Sequence, residues 1–192
     1  KLQEADVAIN FSIPDAAVEN ISNALDQAVP VVCGTTGWLD AYQLVAQKTQ
    51  ENNTAFLYAS NFSVGVNLFF KLNKVLAKMM QPYKEYKVSM EETHHLHKLD
   101  APSGTAITLA EGIIENSNIT HWKLDEEAKD SVSIQSLREG EVPGTHSIKY
   151  GSPIDDITIE HKAHNRKGFA LGAVIASEWI VGKKGIFIYI MV

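Results

Sequence analysis

Cysteine is almost absent from this sequence, which has one, Cys33, among 192 residues. One thiol cannot form a disulfide within the chain, so the sequence lacks the disulfide framework typical of small secreted domains. Cys33 lies in the apolar run VPVVCGTTG. We therefore expect it to pack as a small apolar residue in a buried strand rather than to act as a catalytic thiol.

Long apolar runs and excess positive charge are also lacking. No run approaches the roughly 20 apolar residues that a membrane-spanning helix needs, and the opening KLQEADVAINFS has no apolar core of a signal peptide. Lys and Arg number 17 against 23 Asp and Glu, which gives a formal net charge of −6. This balance disfavours nucleic-acid binding, which needs a basic face. We expect a cytoplasmic protein that binds neither nucleic acid nor membrane.

Short apolar runs alternate with helical patterns over residues 1–62. The apolar runs are DVAINFS, VPVVCGTTG and TAFLYASNFS, and the helical segments between them are IPDAAVENISNALDQA and WLDAYQLVAQKTQENN. In the first helix, Ala17, Ile21, Ala24 and Leu25 form one apolar stripe. Such alternation is typical of a parallel sheet covered on both faces, so the sequence predicts an α/β, Rossmann-like domain.

Small polar residues follow each of the three apolar runs, at Asn10 to Ser12, Gly34 to Gly37 and Ala59 to Ser63. In open parallel sheets, ligands bind beyond the carboxyl ends of the strands. These segments are therefore either a ligand-facing rim or ordinary turns, and the sequence leaves both interpretations open.

The pattern changes after Ser63. A helical segment, VGVNLFFKLNKVLAKMM, has an apolar stripe of Val66, Phe69, Leu72, Val75, Leu76 and Met79. The segment YKEYKVSMEETHH alternates like a strand with Tyr86, Val88 and Met90 facing inward, and SGTAITLAEGIIE is helical.

Residues 131–161 contain three alternating runs, SVSIQ, HSIKY and ITIEH, without a helix between them. We expect these strands to be antiparallel. Residues 63–166 are thus predicted to be an α+β domain with a mostly antiparallel sheet. The last apolar helix, GFALGAVIASEWIVG, is expected to return to the first domain, which then comprises 1–62 and 167–192.

The segment EETHHLHKLDAPSGTA concentrates His94, His95, His97 and Lys98 just before a helix start. Ser103 or its neighbour can cap that helix, and its N-terminus favours an anion because unpaired N–H groups and the helix dipole both attract negative charge. The imidazoles can exchange a proton near neutral pH.

Three interpretations of this cluster remain open: an acid/base site with anion binding, a metal site, and a solvated loop. Residue chemistry favours the first. No matching Cys or Glu/His set has a familiar zinc spacing, and Lys98 would repel a cation, so we expect no metal. A second basic cluster, HKAHNRK at 161–167, is either another arm of the site or a solvated face.

These motifs together resemble the 4-hydroxy-tetrahydrodipicolinate reductase (dihydrodipicolinate reductase) family. EETHHLHKLDAPSGTA matches the most specific motif of that family, and VVCGTTGW, ASNFSVGVNL, REGEVPGTHSIKY and IEHKAHNRKGFALGAVIASEWI follow the family order. The resemblance covers nearly the whole chain. It implies NADH- or NADPH-dependent reduction of 4-hydroxy-tetrahydrodipicolinate in lysine and diaminopimelate biosynthesis, by a homotetramer joined through the sheet of the second domain.

The resemblance also implies residue roles. His94 would be the general acid/base, and Lys98 would assist as proton donor and carboxylate partner. The dicarboxylate substrate would be bound by His95, Gly104 and Thr105. The nicotinamide cofactor would be lined by Gly34, Thr35, Thr36, Ala59, Ser60, Asn61, Phe62, Arg166 and Phe169.

One feature of the family is missing. Its members begin with a strand and a glycine-rich turn, GxxGxMG-like, that cradles the cofactor pyrophosphate, and nothing of that kind precedes DVAINFS. We expect the chain as given to lack part of the cofactor site, including the residues that choose between NADH and NADPH, and to turn over little by itself. Two alternatives remain: a reductase of the same fold acting on another dicarboxylate or a semialdehyde, and a non-catalytic binding or oligomerisation module.

Overall fold

The computed structural model describes residues 2–188 and divides the chain into two compact units. Unit 1 comprises Lys1–Val64 with Lys167–Val192, and unit 2 comprises Gly65–Arg166.

Unit 1 is built on a parallel sheet of four strands. Its elements are β1 (Ala8–Asn10), α1 (Pro14–Leu25), β2 (Val31–Cys33), α2 (Tyr42–Glu51), β3 (Ala55–Tyr58), α5 (Lys167–Ile180) and β9 (Gly185–Ile188), with short 3-10 helices at Leu2–Glu4 and Leu39–Ala41. The strand order is β1-β2-β3-β9, and every pairing is parallel. The predicted Rossmann-like sheet is confirmed.

Helices bury both faces of this sheet, which explains why its strands are apolar throughout. Val31 and Cys33 face the core formed with α1 and α2, while Val32 faces the core formed with α5. The predicted stripe of α1 is buried along its whole length, from Ala17 to Leu25. Cys33 is fully buried, as expected of a small residue in a central strand. Among residues 2–188, no helix has the length and apolar character that crossing a bilayer requires.

Unit 2 packs two helices on a sheet of five strands. Its elements are α3 (Val64–Met80), β4 (Lys87–His94), α4 (Gly104–Glu115), β5 (His121–Leu124), β6 (Ser131–Arg138), β7 (Thr145–Gly151) and β8 (Asp156–Lys162). The strand order is β5-β6-β4-β7-β8. β7 runs antiparallel to both β4 and β8, whereas β6 runs parallel to β4 and β5.

The predicted α+β architecture is confirmed, with one difference in pairing. The runs that became β6, β7 and β8 alternate in direction as expected, but β4 lies between β6 and β7. The crossover from β4 to the parallel β6 passes through α4 and β5, and the sequence analysis did not identify β5. A long connection that contains a helix is what parallel pairing requires.

The predicted stripe of α3 is only partly correct. Val66 and Phe69 are buried, but Leu72, Val75 and Met79 are 51%, 57% and 62% exposed. The buried face continues instead through Asn73, Ala77 and Met80. Asn73 donates a hydrogen bond from Nδ2 to the carbonyl of Leu109 on α4 at 2.8 Å, so a polar residue sits inside the helix contact. The pattern of large apolar residues alone therefore predicts a buried face of α3 that is displaced by about one residue from the face that is buried in the structure.

At Gly172, α5 packs closely against the segment after β3. A Cβ atom at this position would overlap the carbonyl oxygen of Phe62, within unit 1. Backbone cannot yield as a flexible side chain does, so the helix would have to move away from the strand end.

We expect Gly172→Ala to lower the free energy of unfolding by about 2 kcal/mol, a typical cost of overpacking. The matched control is Gly168→Ala on the same helix, where the nearest atom to a Cβ would be Ser63 Oγ at 3.8 Å. The control should be neutral or raise stability by about 0.5 kcal/mol through helix propensity. Urea unfolding followed by circular dichroism measures both, and equal stability of the two variants would contradict the close contact.

Candidate functional site

A row of polar residues crosses the sheet of unit 2 on the face covered by α4. Along β4 the inward positions are Val88, Met90, Glu92 and His94, so the strand changes from apolar to polar toward its carboxyl end. Strand register places Ser136 of β6 and His146 of β7 on either side of Glu92. His94, one step further, pairs with Arg138. The strand pairing alone therefore gathers these side chains.

Glu92 is the centre of this row and is 1% exposed. Its Oε1 accepts hydrogen bonds from the Ser103 N–H at 3.0 Å and from the Ser136 hydroxyl at 2.8 Å, and Arg138 Nη2 lies 3.5 Å away. Its Oε2 faces two imidazoles, with His94 Nδ1 at 3.3 Å and His146 Nε2 at 3.6 Å. The two oxygens thus face different partners.

This environment keeps the carboxylate ionised. Burial is the largest single influence and raises the pKa of Glu92, but the contacts from His146, His94, Ser103 and Ser136 together outweigh it. They hold the pKa well below its usual range.

His146 lies inside the same cluster and is 4% exposed. Its Nε2 is 3.2 Å from the Ser103 hydroxyl, and its ring meets that of His94 edge to face, with centroids 5.1 Å apart. Burial lowers the pKa of His146 because it disfavours the charged ring, and the nearby Glu92 opposes this only in part. The structure therefore places a second imidazole, that of His146, in contact with the predicted acid/base residue His94.

The N-terminus of α4 adjoins the cluster. Ser103 caps the helix, since its hydroxyl accepts from the Ala106 N–H at 3.2 Å while its own N–H donates to Glu92. A Cβ at Gly104 would meet no atom within 4 Å, so the first turn of the helix has open space beside it, and Thr105 next to it is buried. This end of α4 has the dipole and the room that an anionic group needs.

The loop after β4 holds the other residues of the histidine and lysine cluster. Lys98 forms an ion pair with Asp100 at 2.7 Å, and the exposed His97 lies 3.5 Å from Glu141. Arg138 fixes the loop by donating to the carbonyl of Lys98 at 3.2 Å and to that of Asp100 at 2.6 Å. The loop is therefore held by the side chain that also approaches Glu92.

His95 is half-buried and lies beside this loop. Burial lowers the pKa of His95, and the charge of Arg166 lowers it further. The structure thus relates Arg166, the last residue of unit 2, to the predicted substrate-binding histidine. Phe169 is half-buried on α5 in unit 1. That both line the cofactor stays a prediction.

In unit 1, hydrogen bonds join the polar segments after β1, β2 and β3. The Ser12 N–H donates to Thr35 Oγ1 at 2.8 Å, and the Gly34 N–H donates to the Asn10 carbonyl at 2.9 Å. The Ala59 N–H donates to the Cys33 carbonyl at 3.2 Å. The three strand ends therefore form one edge, as parallel pairing requires.

This edge consists of small and polar residues, and that it lines the cofactor stays a prediction. A Cβ at Gly34 would overlap the ring of Phe11, which itself contacts Phe62 at a centroid distance of 5.6 Å. The ring of Phe11 therefore packs directly against the backbone at Gly34, and Ser60 and Asn61 after β3 are partly exposed. Small residues at the carboxyl edge of a parallel sheet allow a nucleotide close to the backbone.

The sequence analysis missed four residues of the cluster in unit 2: Glu92, Ser136, Arg138 and His146. Two of them carried a signal. Glu92 interrupts the inward alternation of Val88 and Met90 on β4, and His146 does the same before Ile148 on β7. An ionisable residue at an inward strand position needs a partner, because burying it alone is costly.

Within residues 2–188, Glu92, His94 and His146 form a group that could hold a metal ion, with ligand atoms all within 4.8 Å of one another. The group offers one carboxylate oxygen and two imidazole nitrogens, a set that suits zinc. A cation would have to share Glu92 with Arg138, whose guanidinium lies 3.5 Å from the other carboxylate oxygen. The geometry therefore suits a proton between these groups better than a metal.

Comparison with known proteins gives a consistent result over both units. The family model for the N-terminus of dihydrodipicolinate reductase matches residues 1–62, and that for its C-terminus matches residues 65–192.

Individual relatives agree. The 4-hydroxy-tetrahydrodipicolinate reductase of Christiangramia forsetii is 55% identical over 185 residues, which are 96% of this chain and 77% of the relative. That of Methanoculleus marisnigri is 36% identical over 186 residues, covering 95% of this chain and 73% of the relative. A solved structure, dipicolinate-bound dihydrodipicolinate reductase from Paenisporosarcina sp. TG-14, superposes with a TM-score of 0.76 at 26% identity, covering 96% of this chain and 72% of that one.

The lowered pKa of His146 predicts acid sensitivity. Below the unfolded value of about 6.5, the unfolded chain takes up a proton that the folded chain excludes, so stability falls as the pH falls. We expect the free energy of unfolding to drop between pH 7.5 and 5.5 with a slope from this residue of up to about 1.4 kcal/mol per pH unit.

His146→Gln should flatten this slope and leave the dependence that comes from His95 and His161, whose pKa values burial also lowers. His121→Gln, on the exposed end of β5, is the matched control and should keep the slope of the parent. Urea unfolding at several pH values measures all three proteins. A parent stability that rises toward pH 5.5 would show the sign to be wrong.

Proposed function

The chain belongs to the dihydrodipicolinate reductase family, and on that premise we propose how its residues divide the work of the reaction. The protein is an oxidoreductase that uses a pyridine nucleotide to reduce 4-hydroxy-tetrahydrodipicolinate to tetrahydrodipicolinate, in lysine and diaminopimelate biosynthesis. The nucleotide, when bound, supplies the hydride. The residues of the chain must bind two carboxylates, orient the ring and deliver one proton.

We assign the proton to His94. The observation that carries this assignment is the position of its ring, with Nδ1 at 3.3 Å from Glu92 and Nε2 toward Gly144, where an added Cβ would lie 3.1 Å away. A glycine at 144 therefore leaves space in front of Nε2. An imidazole with one nitrogen beside a carboxylate and the other beside a residue without a side chain is suited to general acid/base catalysis.

The substrate carboxylates are assigned to the start of α4 and to the loop before it. Gly104 and Thr105 begin the helix, where the dipole and the backbone amides favour an anion. His95 and Lys98 stand on the adjoining loop, where His95 offers a ring N–H and Lys98 adds positive charge and also assists proton delivery. The related reductase of Paenisporosarcina was solved with dipicolinate bound, which supports a planar dicarboxylate as ligand here.

The cofactor is assigned to the edge of unit 1 formed by Gly34, Thr35, Thr36 and the segment Ala59 to Phe62. The joined strand ends and their small, polar residues support this assignment. Arg166 and Phe169 complete the proposed set. Either NADH or NADPH is the reductant, and initial rates with each at equal concentration decide between them. The use of a pyridine nucleotide is also why we propose the cytoplasm as the site of action.

We expect His94→Gln to lower kcat by about 10²- to 10⁴-fold, the usual contribution of a positioned acid/base group. Its dissociation constant for dipicolinate should stay within about threefold of the parent, because the anion site is unchanged. Lys98→Ala should lower kcat and weaken dipicolinate binding together, and His95→Ala should mainly weaken binding. Rates of nucleotide oxidation by the full-length protein and calorimetric titration with dipicolinate give these numbers.

His97→Gln is the control for the cluster, since this exposed side chain pairs with Glu141 and has no proposed role in the reaction. It should change kcat and binding by less than about twofold, like other exposed positions. Parental kcat in His94→Gln would remove His94 from the reaction and leave the family assignment untouched.

We also propose a homotetramer joined through the sheet of unit 2. The face opposite α4 carries outward side chains such as Ser89, Glu91, Ser133 and Ser147, which pair across neighbouring strands. This face is polar and mixes serines with charged side chains such as Lys149 and Glu160, so a second sheet could pair with it through hydrogen bonds and ion pairs.

Ser147→Arg, in the middle of that face, should dissociate the assembly because a long charged side chain would stand between the sheets. Asn23→Arg on the exposed surface of α1 adds the same charge outside the sheet and serves as control. Light scattering should give about four times the 21.2 kDa chain mass for the parent and the control, and a smaller mass for Ser147→Arg. A parent of single-chain mass would refute the proposal.

A further inference from the structure

Glu92 contacts both the proposed proton donor and the helix that is proposed to receive the substrate. Its Oε2 lies 3.3 Å from His94 Nδ1, and its Oε1 accepts from the Ser103 N–H at the start of α4 at 3.0 Å. The carboxylate is 1% exposed, so it cannot itself reach a substrate. Its effect on the reaction must pass through these neighbours.

The two oxygens of Glu92 are not interchangeable. Oε1 is surrounded by donors that cannot accept a hydrogen bond, namely the Ser103 N–H and the Arg138 guanidinium, together with the Ser136 hydroxyl. Oε1 must therefore remain an acceptor. Oε2 is left to the two imidazoles, and an ionised oxygen there requires a proton on the nitrogen that faces it.

Of the two imidazoles, His94 meets this requirement better, because its Nδ1 is the nearer nitrogen at 3.3 Å, whereas His146 Nε2 is 3.6 Å away and lies 3.2 Å from the Ser103 hydroxyl. With Glu92 ionised, His94 carries a hydrogen on Nδ1, and Nε2 becomes the nitrogen that gains or loses the reacting proton. Nε2 is also the nitrogen directed toward the space left by Gly144. Orientation and tautomer thus agree with a proton transfer at Nε2, as in other sites where a carboxylate holds a catalytic imidazole.

We infer that Glu92 is a positioning residue, which sets the tautomer and orientation of His94 and ties that ring to the N-terminus of α4. The inference rests on the proposed role of His94 as proton donor. It goes beyond that role, because it makes the activity depend on a buried charge that touches neither substrate nor cofactor.

Glu92→Gln tests this inference with almost no change of shape. The donors around Oε1 compel the amide oxygen of Gln to occupy that position, so the amide NH₂ takes the place of Oε2. There it donates to His94 Nδ1, which must then be unprotonated. The neutral ring of His94 therefore changes to the Nε2–H tautomer. The doubly protonated ring is disfavoured, because its Nδ1–H would face an N–H donor instead of a carboxylate.

We expect kcat of Glu92→Gln to fall at least about tenfold, as when other groups that orient a functional histidine are replaced. The dissociation constant for dipicolinate should stay within about threefold, because the bonds to Ser103 and Ser136 are kept. Nitrogen NMR of the imidazole should show neutral His94 protonated on Nδ1 in the parent and on Nε2 in the variant. Glu92→Asp, which restores the charge, should return the Nδ1–H tautomer.

Ser136→Ala is the matched control, since it removes one bond to Oε1 and leaves the side of Oε2 unchanged. It should keep the tautomer of the parent and a kcat within about threefold. If Glu92→Gln does not fold, the tautomer of the parent decides by itself: a neutral His94 protonated on Nε2 overturns the inference.

The inference is also overturned if folded Glu92→Gln keeps the kcat of the parent. It is equally overturned if the purified parent contains one equivalent of zinc and His146→Gln contains none, because the cluster would then be a metal site. A normal kcat in His94→Gln would instead refute the proposed proton donor, so the two failures are distinguishable.

Discussion

One ionised carboxylate buried in an apolar sheet is the constraint on which unit 2 depends. An unpaired charge at the position of Glu92 would cost several kcal/mol, so the fold must surround it with donors. They come from four elements: Ser103 at the start of α4, Ser136 and Arg138 on β6, His146 on β7, and His94 on β4 itself. The strand order that puts β4 between β6 and β7 is what makes this possible, because only a central strand has partners on both sides.

The same constraint links stability to chemistry. The hydrogen-bond donors that keep Glu92 ionised also let its carboxylate orient the imidazole of His94. Arg138 extends this arrangement, because it donates hydrogen bonds to the backbone carbonyls of the loop that carries Lys98. A loop normally supplies mobile residues, but here its backbone is bonded to a side chain anchored in the sheet. Preorganisation of this kind removes the cost of ordering the site when the substrate binds.

Much of this could be read from the sequence, and what could not has a physical reason. Periodicity located the strands of unit 1 and the stripe of α1 because both faces of that sheet are apolar. It misplaced the inner face of α3, where Asn73 is buried by one specific hydrogen bond to Leu109. The motif around His94 pointed to acid/base chemistry, yet it could not reveal His146 or Arg138. Those residues meet Glu92 only through strand register, which depends on pairing across more than 40 residues of chain.

Both units place polar groups at the carboxyl ends of apolar strands, but they do so by different means. In unit 1 the strand ends are joined through backbone amides and small side chains. In unit 2 the strand ends carry charge, and the charge is balanced internally before any ligand arrives. A rigid apolar sheet underlies each arrangement. Residues on strands hold their positions more precisely than residues on loops, and a proton donor must lie within hydrogen-bond distance of the group that it protonates. The cost of burying Glu92 is therefore offset within unit 2, and its ionised state orients the imidazole toward the space in front of Gly144.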